Sequence, residues 1–502
     1  MATSKRERTR FPGPVEKVFV NMSTLFQPLD PLRPADLPDK PLPNWKMWGP
    51  GAVLVGLSIG AGELIIWPRL MANHGAGMAW AAMLGVLIQM WVNFEVGRWT
   101  IATGETIYTG FCRVWRGFGP LFIMFNILGW IVPGWARSSG LALKSLTVGS
   151  GGFGGDTFWT VVTFLGVALM LFGPRVVYKS VEKSIEILII VITLGLVLLA
   201  IGVGTADSVR QMGEGLVNIG HFTEGISAKE LFSAVVFAGA GGTANLFYSF
   251  YLRDKHIGMG ARLPSLTNPL RDREEKVPAT GFIYSETPEN QSRFRKWWGY
   301  IRQDQVIFFW FLNSFTMMLF MFVALTVLHP LTLEAGKPII TDKNLVATQA
   351  EQIGLKVGGW GTTVYLLVGF ATLFSTQITI LDGACRSIAD IIYTNFKGAQ
   401  KRSVGWWYVL IVGVWIFVGC GLTALSEFAW DIKELGFLVN AAYMGGFAMA
   451  VFVPLTLYIN YRHLPKSARP GWLCTTMMTA AAIVYVSFAV YCITLTIMEW
   501  LS

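Results

Sequence analysis

Two apolar stretches, each long enough to cross a bilayer, carry glycines where a spanning helix tolerates them least. The first begins at Gly49-Pro50-Gly51, is interrupted at Gly60-Ala61-Gly62, and continues at once with Glu63 towards Trp67-Pro68. The second is Phe237-Ala238-Gly239-Ala240-Gly241-Gly242-Thr243-Ala244-Asn245. A glycine weakens a helix interior by roughly 1 kcal/mol relative to alanine, and a carboxylate at membrane depth costs about 2.5–3.5 kcal/mol on insertion scales. A purely structural anchor gains nothing from either. Two discontinuous helices that together form the substrate site of a secondary transporter account for both features. The plainer alternative is a small-residue seam against which a neighbouring helix packs.

The rest of the chain fits a membrane setting. Of 502 residues, 53% are hydrophobic, 14% are charged and 54 are glycine, well above the usual share of about 7%. About eleven segments approach the ~20 apolar residues a bilayer requires: 48–72, 77–101, 119–143, 157–173, 185–204, 231–252, 304–328, 359–383, 404–426, 434–459 and 472–499. If the N-terminus is cytoplasmic, 31 of the 40 Lys and Arg fall in the inside segments, the bias that sets membrane orientation. The formal charge of +9 is thereby explained without nucleic acid. The expected protein is a multi-pass integral component of the plasma (inner) membrane, with its C-terminus opposite its N-terminus. Residues 1–46 read as a proline-containing cytoplasmic tail with no cleaved signal peptide. Residues 47–470 read as a ten-helix transport core, and 471–502 as an eleventh helix.

The sixth segment starts five helices after the first, and an odd number inverts the second set relative to the first. The expected architecture is all-α and polytopic, a five-plus-five inverted repeat (48–204 and 231–459, with a cytoplasmic loop over 253–303) in which helices one and six are discontinuous. Unwound backbone in lipid must find partners. Freed carbonyls can coordinate a cation, and freed amides at a half-helix start favour an anionic group. Candidate substrate-binding residues are therefore Gly60, Ala61, Gly62, Glu63, Ala240, Gly241, Gly242, Thr243 and Asn245, with Thr379 from the eighth segment. Glu63 and Asn245 are the candidate metal ligands. No cofactor is expected beyond a coupling proton or cation.

Further motifs follow in order. They are Gly49-Pro50-Gly51, Arg98-Trp99-Thr100-Ile101-Ala102-Thr103-Gly104, Gly173-Pro174-Arg175 through Glu182, Ser375-Thr376-Gln377-Ile378-Thr379, and Val453-Pro454-Leu455. In this order and helix placement the chain resembles the Nramp transporters, proton-coupled carriers of divalent metals. That resemblance implies a LeuT-like fold and transport. The departures fall on the chemistry. Where the family has its metal-binding Asp-Pro-Gly-Asn this chain has Gly60-Ala61-Gly62-Glu63, and where it has Met-Pro-His-Asn this chain has Gly242-Thr243-Ala244-Asn245. The soft thioether that favours transition metals is missing. So are the acidic residues of helix three and the arginines of helix nine that serve the family's proton route, so coupling by that route is expected to be absent. Two cargoes remain: a small cation held by oxygen ligands including Glu63 and Asn245, or an organic solute such as an amino acid, as in permeases with similar small-residue breaks. A non-transporting sensor on the same fold is a third possibility.

Other polar residues have plainer readings. Glu95 with Arg98, and Asp382 with Arg386, are spaced as helix-surface ion pairs snorkelling to the interface. Arg137 either lines the outer vestibule or caps its helix. Asn126, Asn313, Gln377, Thr379, Asn440 and Tyr443 line a pathway or bond between helices. The five cysteines are scattered, and no H-E-x-x-H pair, G-x-S-x-G elbow or P-loop is present, so an enzyme is not expected and any active transport draws on a gradient.

Overall fold

The computed structural model describes residues 25–60, 62–149, 151–173, 176–223, 225–226, 228–267, 269–270, 277–336, 345–428 and 434–501. The first span comprises α1 (Pro50–Ser58) and α2 (Trp67–His74), joined by a π-turn over Gly62–Ile66. Proline at the start of α1 removes an N–H that has no helical partner there. The helix stops at Ile59, whose φ of −70° and ψ of 77° lie outside helical geometry. Then follow α3 (Ala79–Thr103), the short α4 (Ile107–Val114), α5 (Phe118–Trp130) with α6 (Gly134–Thr147), α7 (Asp156–Phe172), α8 (Val177–Val203) and the connecting α9 (Ala206–Val217). The sixth span is α10 (Ala228–Val236), a break, and α11 (Tyr248–Asp254). The remainder is α12 (Pro288–Asp304), α13 (Asn313–Val327), α14 (His329–Ala335), α15 (Leu345–Val357), α16 (Gly359–Asn395), α17 (Val404–Phe428), α18 (Glu434–His463) and α19 (Trp472–Leu501).

Among the described residues, nine helices are long and apolar enough to cross a membrane. The 17-residue α7 and the interrupted sixth span occupy the other two expected positions. The 37-residue α16 is the central post, packed by α1, α5, α6, α8 and α17. Helix α8 turns Ile187, Ile190, Leu194, Leu198 and Ile201 outward, a stripe at helical spacing that suits lipid.

The Gly49-Pro50-Gly51 motif has a packing reason. A Cβ on Gly51 would lie 2.6 Å from Asp304 Oδ2, and one on Gly49 would collide with the Glu182 carboxylate. Only glycine lets these two carboxylates reach the amino end of α1, where the helix dipole favours negative charge. Asp304 accepts from the Gly51 N–H and from Tyr248 Oη at 2.7 Å. Glu182 accepts from Lys255 Nζ at 2.7 Å and Tyr178 Oη at 3.0 Å.

The described part of the N-terminal tail forms a strap across this end of the bundle. Gln27 N–H bonds the Asn395 carbonyl at 3.0 Å, β1 (Arg33–Pro34) pairs in parallel with β2 (Phe282–Ile283), and Trp297 Nε1 donates to the Pro38 carbonyl at 2.9 Å. The segment 253–303, expected as a loop, ends in helix α12. That helix buries Phe294, Trp297, Tyr300, Ile301 and Asp304, a three-to-four-residue spacing hidden among charged residues. It runs directly into the seventh span through a π-turn over Gln305–Leu312.

The expected ion pairs form but are not on the surface. Glu95 and Arg98 pair at 2.8 Å with almost no exposure. Asn460 Nδ2 donates to Glu95 Oε2 at 2.8 Å, and the Arg98 guanidinium lies 3.8 Å from the Trp298 ring centre. Arg386 binds Asp382 at 2.7 Å and also Asp254 of α11; all three are buried. Snorkelling is replaced by burial because α11 and α18 cover the faces that spacing alone left open. Arg137 pairs with Asp156, at the start of α7, at 3.0 Å.

Candidate functional site

The site is built around the break in the sixth span. Helix α10 ends near Val236, Gly241 and Gly242 adopt φ of 71° and 52°, and a tight turn over Gly242–Phe247 restarts the chain. Those positive values favour glycine. A Cβ on Gly242 would also lie 2.7 Å from Gly445 Cα, so α18 approaches the break backbone to backbone.

Several of the polar groups freed here are taken by the protein itself, as a site at membrane depth requires. Gln89 of α3 does most of this. Its Nε2 donates to the Val236 carbonyl at 2.8 Å, and its Oε1 accepts from Gly241 N–H at 3.0 Å and Asn245 Nδ2 at 3.1 Å. Asn313 Nδ2 donates to the Ala238 carbonyl at 3.0 Å, and Trp67 Nε1 to the Ala234 carbonyl at 3.0 Å. Thr243 sits mid-chain, accepting from Trp130 Nε1 at 2.9 Å and donating to Asn126 Oδ1 at 3.0 Å. Thr243→Val would leave two buried groups without partners, at about 1–3 kcal/mol each. The expected result is a clear fall in apparent melting temperature with a shift in tryptophan emission; an unchanged melt would contradict this chain of bonds.

The first break meets the second directly. A Cβ on Gly62 would collide with the Phe237 carbonyl, and one on Gly60 would lie 2.6 Å from Thr376 Oγ1 of α16. Where they meet is a cavity lined by Leu57, Ser58, Gly60, Gly62, Trp130 and Trp135, and across from them by Phe237, Gly239, Ala240, Thr376, Ile380 and Ala441. About 30 Å³ of it is open to the centre of a water-sized sphere, more than the 10–15 Å³ or so needed for one water. Its polar groups are few. Ser58 Oγ and Trp135 Nε1 are buried without hydrogen-bond partners among the described residues, and Thr376 Oγ1 donates to the Thr372 carbonyl at 2.9 Å.

Of the residues singled out in the sequence, Gly60, Gly62 and Ala240 line this cavity. Ala61 lies outside the described residues. Gly241, Gly242, Thr243 and Asn245 build the second break behind the lining. Thr379 turns its hydroxyl to the Ser375 carbonyl of its own helix at 2.8 Å, and Thr376, one turn earlier, takes the lining position. Glu63 follows the cavity-lining Gly62 but is not itself in the lining; it is fully buried with the Thr316 hydroxyl of α13 beside it. Asn245 is likewise not in the lining; its Nδ2 donates to Gln89 Oε1, and its Oδ1 is buried without a hydrogen-bond partner among the described residues. Asn126 and Asn313 prove to be interhelical hydrogen-bonders, Gln377 is buried with neither amide atom partnered among the described residues, and the Asn440 side chain lies outside them. Trp130, Trp135 and Gln89 were not anticipated. The only local signal was Pro133, which separates α5 from α6 and sets the two tryptophans on either side of a kink.

No family model matches the sequence, and no curated protein does. Solved structures do. The manganese transporter of Eremococcus coleocola, in a point-mutant form, is similar at 14% identity over 94% of this chain and 91% of that one, with a TM-score of 0.64. The same transporter bound to an aromatic bis-isothiourea compound gives 14%, 92%, 90% and 0.65. A nucleobase-cation-symport-1 family transporter, in a closed conformation with bromovinylhydantoin bound, gives 12%, 89%, 92% and 0.50. At these identities the likeness is one of fold. The chain has the LeuT-like architecture with helices one and six discontinuous, in agreement with the Nramp resemblance of its motifs.

Proposed function

We propose that this chain is a secondary transporter that moves a compact organic solute by alternating access, with the strap end of the bundle cytoplasmic. The observation that carries it is that both glycine breaks, from corresponding positions of two inverted halves, open onto one cavity. Such a cavity at a repeat interface is where carriers of this architecture hold cargo. Its lining favours an organic solute: three aromatic rings and several aliphatic side chains surround two hydroxyls and one indole N–H, the composition of small-molecule sites. A hard divalent ion wants six or more oxygen ligands and usually carboxylates; among the described residues no carboxylate, imidazole or thioether lines this cavity. The small open volume limits the cargo to a few heavy atoms unless the breaks separate, so glycine and alanine are the first probes.

A second reading, transport of a metal ion, is supported by the fold likeness to a manganese transporter and by Glu63 beside the first break. Calorimetry on the purified protein with glycine, alanine, Mn²⁺ and Mg²⁺, followed by flux in proteoliposomes, separates the two. Binding of a small amino acid, weakened tenfold or more by Trp135→Ala (about 1.4 kcal/mol), is expected. Saturable Mn²⁺ uptake without amino-acid binding would overturn the organic reading. Specific binding without flux of any kind would leave a sensor.

A further inference from the structure

The Glu63 carboxylate is fully buried; the Thr316 hydroxyl beside it donates to carbonyls of its own helix, and neither carboxylate oxygen makes a full hydrogen bond to a described residue. Among the described residues it is also in no ion pair. Helix α13, packed against it, contains no charged residue. Arg69 of α2 is engaged by Glu230 at 3.2 Å, and Lys356 of α15 by the Thr326 carbonyl at 3.0 Å. A bare carboxylate taken out of water is among the least tolerable groups a protein interior can hold; it is neutralised by a proton or a bound cation, or it is paired. Here the pairing is missing.

Oxygen groups nevertheless lie on the helix it packs against. Thr316 of α13 stands beside Glu63. One turn earlier on the same helix, Asn313 is buried with its Oδ1 unpartnered among the described residues, while its amide nitrogen donates to the Ala238 carbonyl. Ala238 follows Phe237, whose carbonyl abuts Gly62, the residue preceding Glu63. One carboxylate from span one thus lies beside a hydroxyl of span seven, with an unpartnered amide oxygen one turn away on the same helix whose side chain is tied to the second break. This is an oxygen-only donor set carrying a single negative charge, and one monovalent cation balances it.

We propose that Glu63, Asn313 and Thr316 form a monocation site, taking a proton or Na⁺, distinct from the cargo cavity and coupled to it because Glu63 is contiguous with the first break. Its role as the driving-ion site rests on the transporter reading above; the existence of the site does not. The test is the melting of the purified protein in detergent, with NaCl against choline chloride at equal ionic strength, from pH 5 to pH 8. Wild type is expected to melt higher in sodium at fixed pH if the ion is Na⁺, or higher at low pH irrespective of sodium if it is a proton. Glu63→Gln, which removes the charge while keeping the shape, should melt above wild type in choline at pH 8 and lose the response. Thr316→Val should weaken a sodium response and leave a proton response in place. Should the glutamine variant not fold, Glu63→Asp serves instead, with the midpoint of the response displaced. A wild-type melt indifferent to both ions, or a Glu63 variant that retains the full wild-type response, would overturn the proposal. Failure of flux in liposomes would count against the transporter reading alone, since melting is read without any cargo.

Discussion

Arg386→Met is expected to be severely destabilising, by about 3–5 kcal/mol, because it strands two buried carboxylates. Arg386 Nε donates to Asp382 Oδ1 at 2.7 Å and a second guanidinium nitrogen to Asp254, and Tyr408 Oη donates to Asp382 at 2.8 Å. All are buried, so water cannot take over from the lost guanidinium. The cluster joins α11, the second half of the broken sixth span, to α16, the central post. Next to it, Arg253 holds Asp390 at 3.1 Å and Thr106 Oγ1 donates to the same carboxylate at 2.6 Å. The measurement is the apparent melting temperature and the yield of monodisperse protein in detergent. Adding Asp254→Asn and Asp382→Asn should recover much of the loss, since uncharged groups in the same positions no longer repel. A single variant that melts like wild type would show that the cluster is hydrated.

The second large effect is expected at Gly242→Ala. The substitution places a side chain at a φ of 52°, with its Cβ 2.7 Å from Gly445 Cα. Strain of this kind costs roughly 1–3 kcal/mol, and overpacking against backbone adds roughly 1–3 kcal/mol more. Backbone on both sides leaves no flexible side chain to move aside, so α18 must shift or the break must reshape. Gly413→Ala is the control: nothing lies within 4 Å of its would-be Cβ, and a gain of up to about 1 kcal/mol is expected there from reduced freedom of the unfolded chain. If the two variants melt alike, the close approach of the sixth and tenth spans is not structurally important.

How much of this could be seen in one dimension differs from element to element. Apolar runs located the candidate spans because length and polarity are local properties. The glycine breaks were visible for the same reason: helix-weakening residues mid-membrane are conspicuous where nothing else interrupts the run. Helix α12 was missed because its apolar positions are spaced three to four apart among arginines and glutamines, so averaging over a window hides them. The pairs Glu95–Arg98 and Asp382–Arg386 were legible as partners from their spacing, but their burial was not, since it depends on which other helices cover that face. Gln89 is the clearest case. As a lone amide in an apolar helix it carries no mark of its task, which exists only because the broken sixth span lies against it.

Residue order therefore settles which segments are long and apolar enough to cross a membrane, where two of them lose their helical hydrogen bonds, and that an acid follows the first interruption. Each of these depends on the chemistry of consecutive residues. Packing settles where Glu63 and the freed peptide groups point: the acid towards the seventh span, three carbonyls and one amide onto Gln89, Asn313 and Trp67, and the cavity itself into the keeping of aromatic rings from the third span. Those outcomes depend on the rotation and depth of helices far apart along the chain, where a displacement of a few ångströms exchanges one hydrogen-bond partner for another and leaves the spacing of residues unchanged.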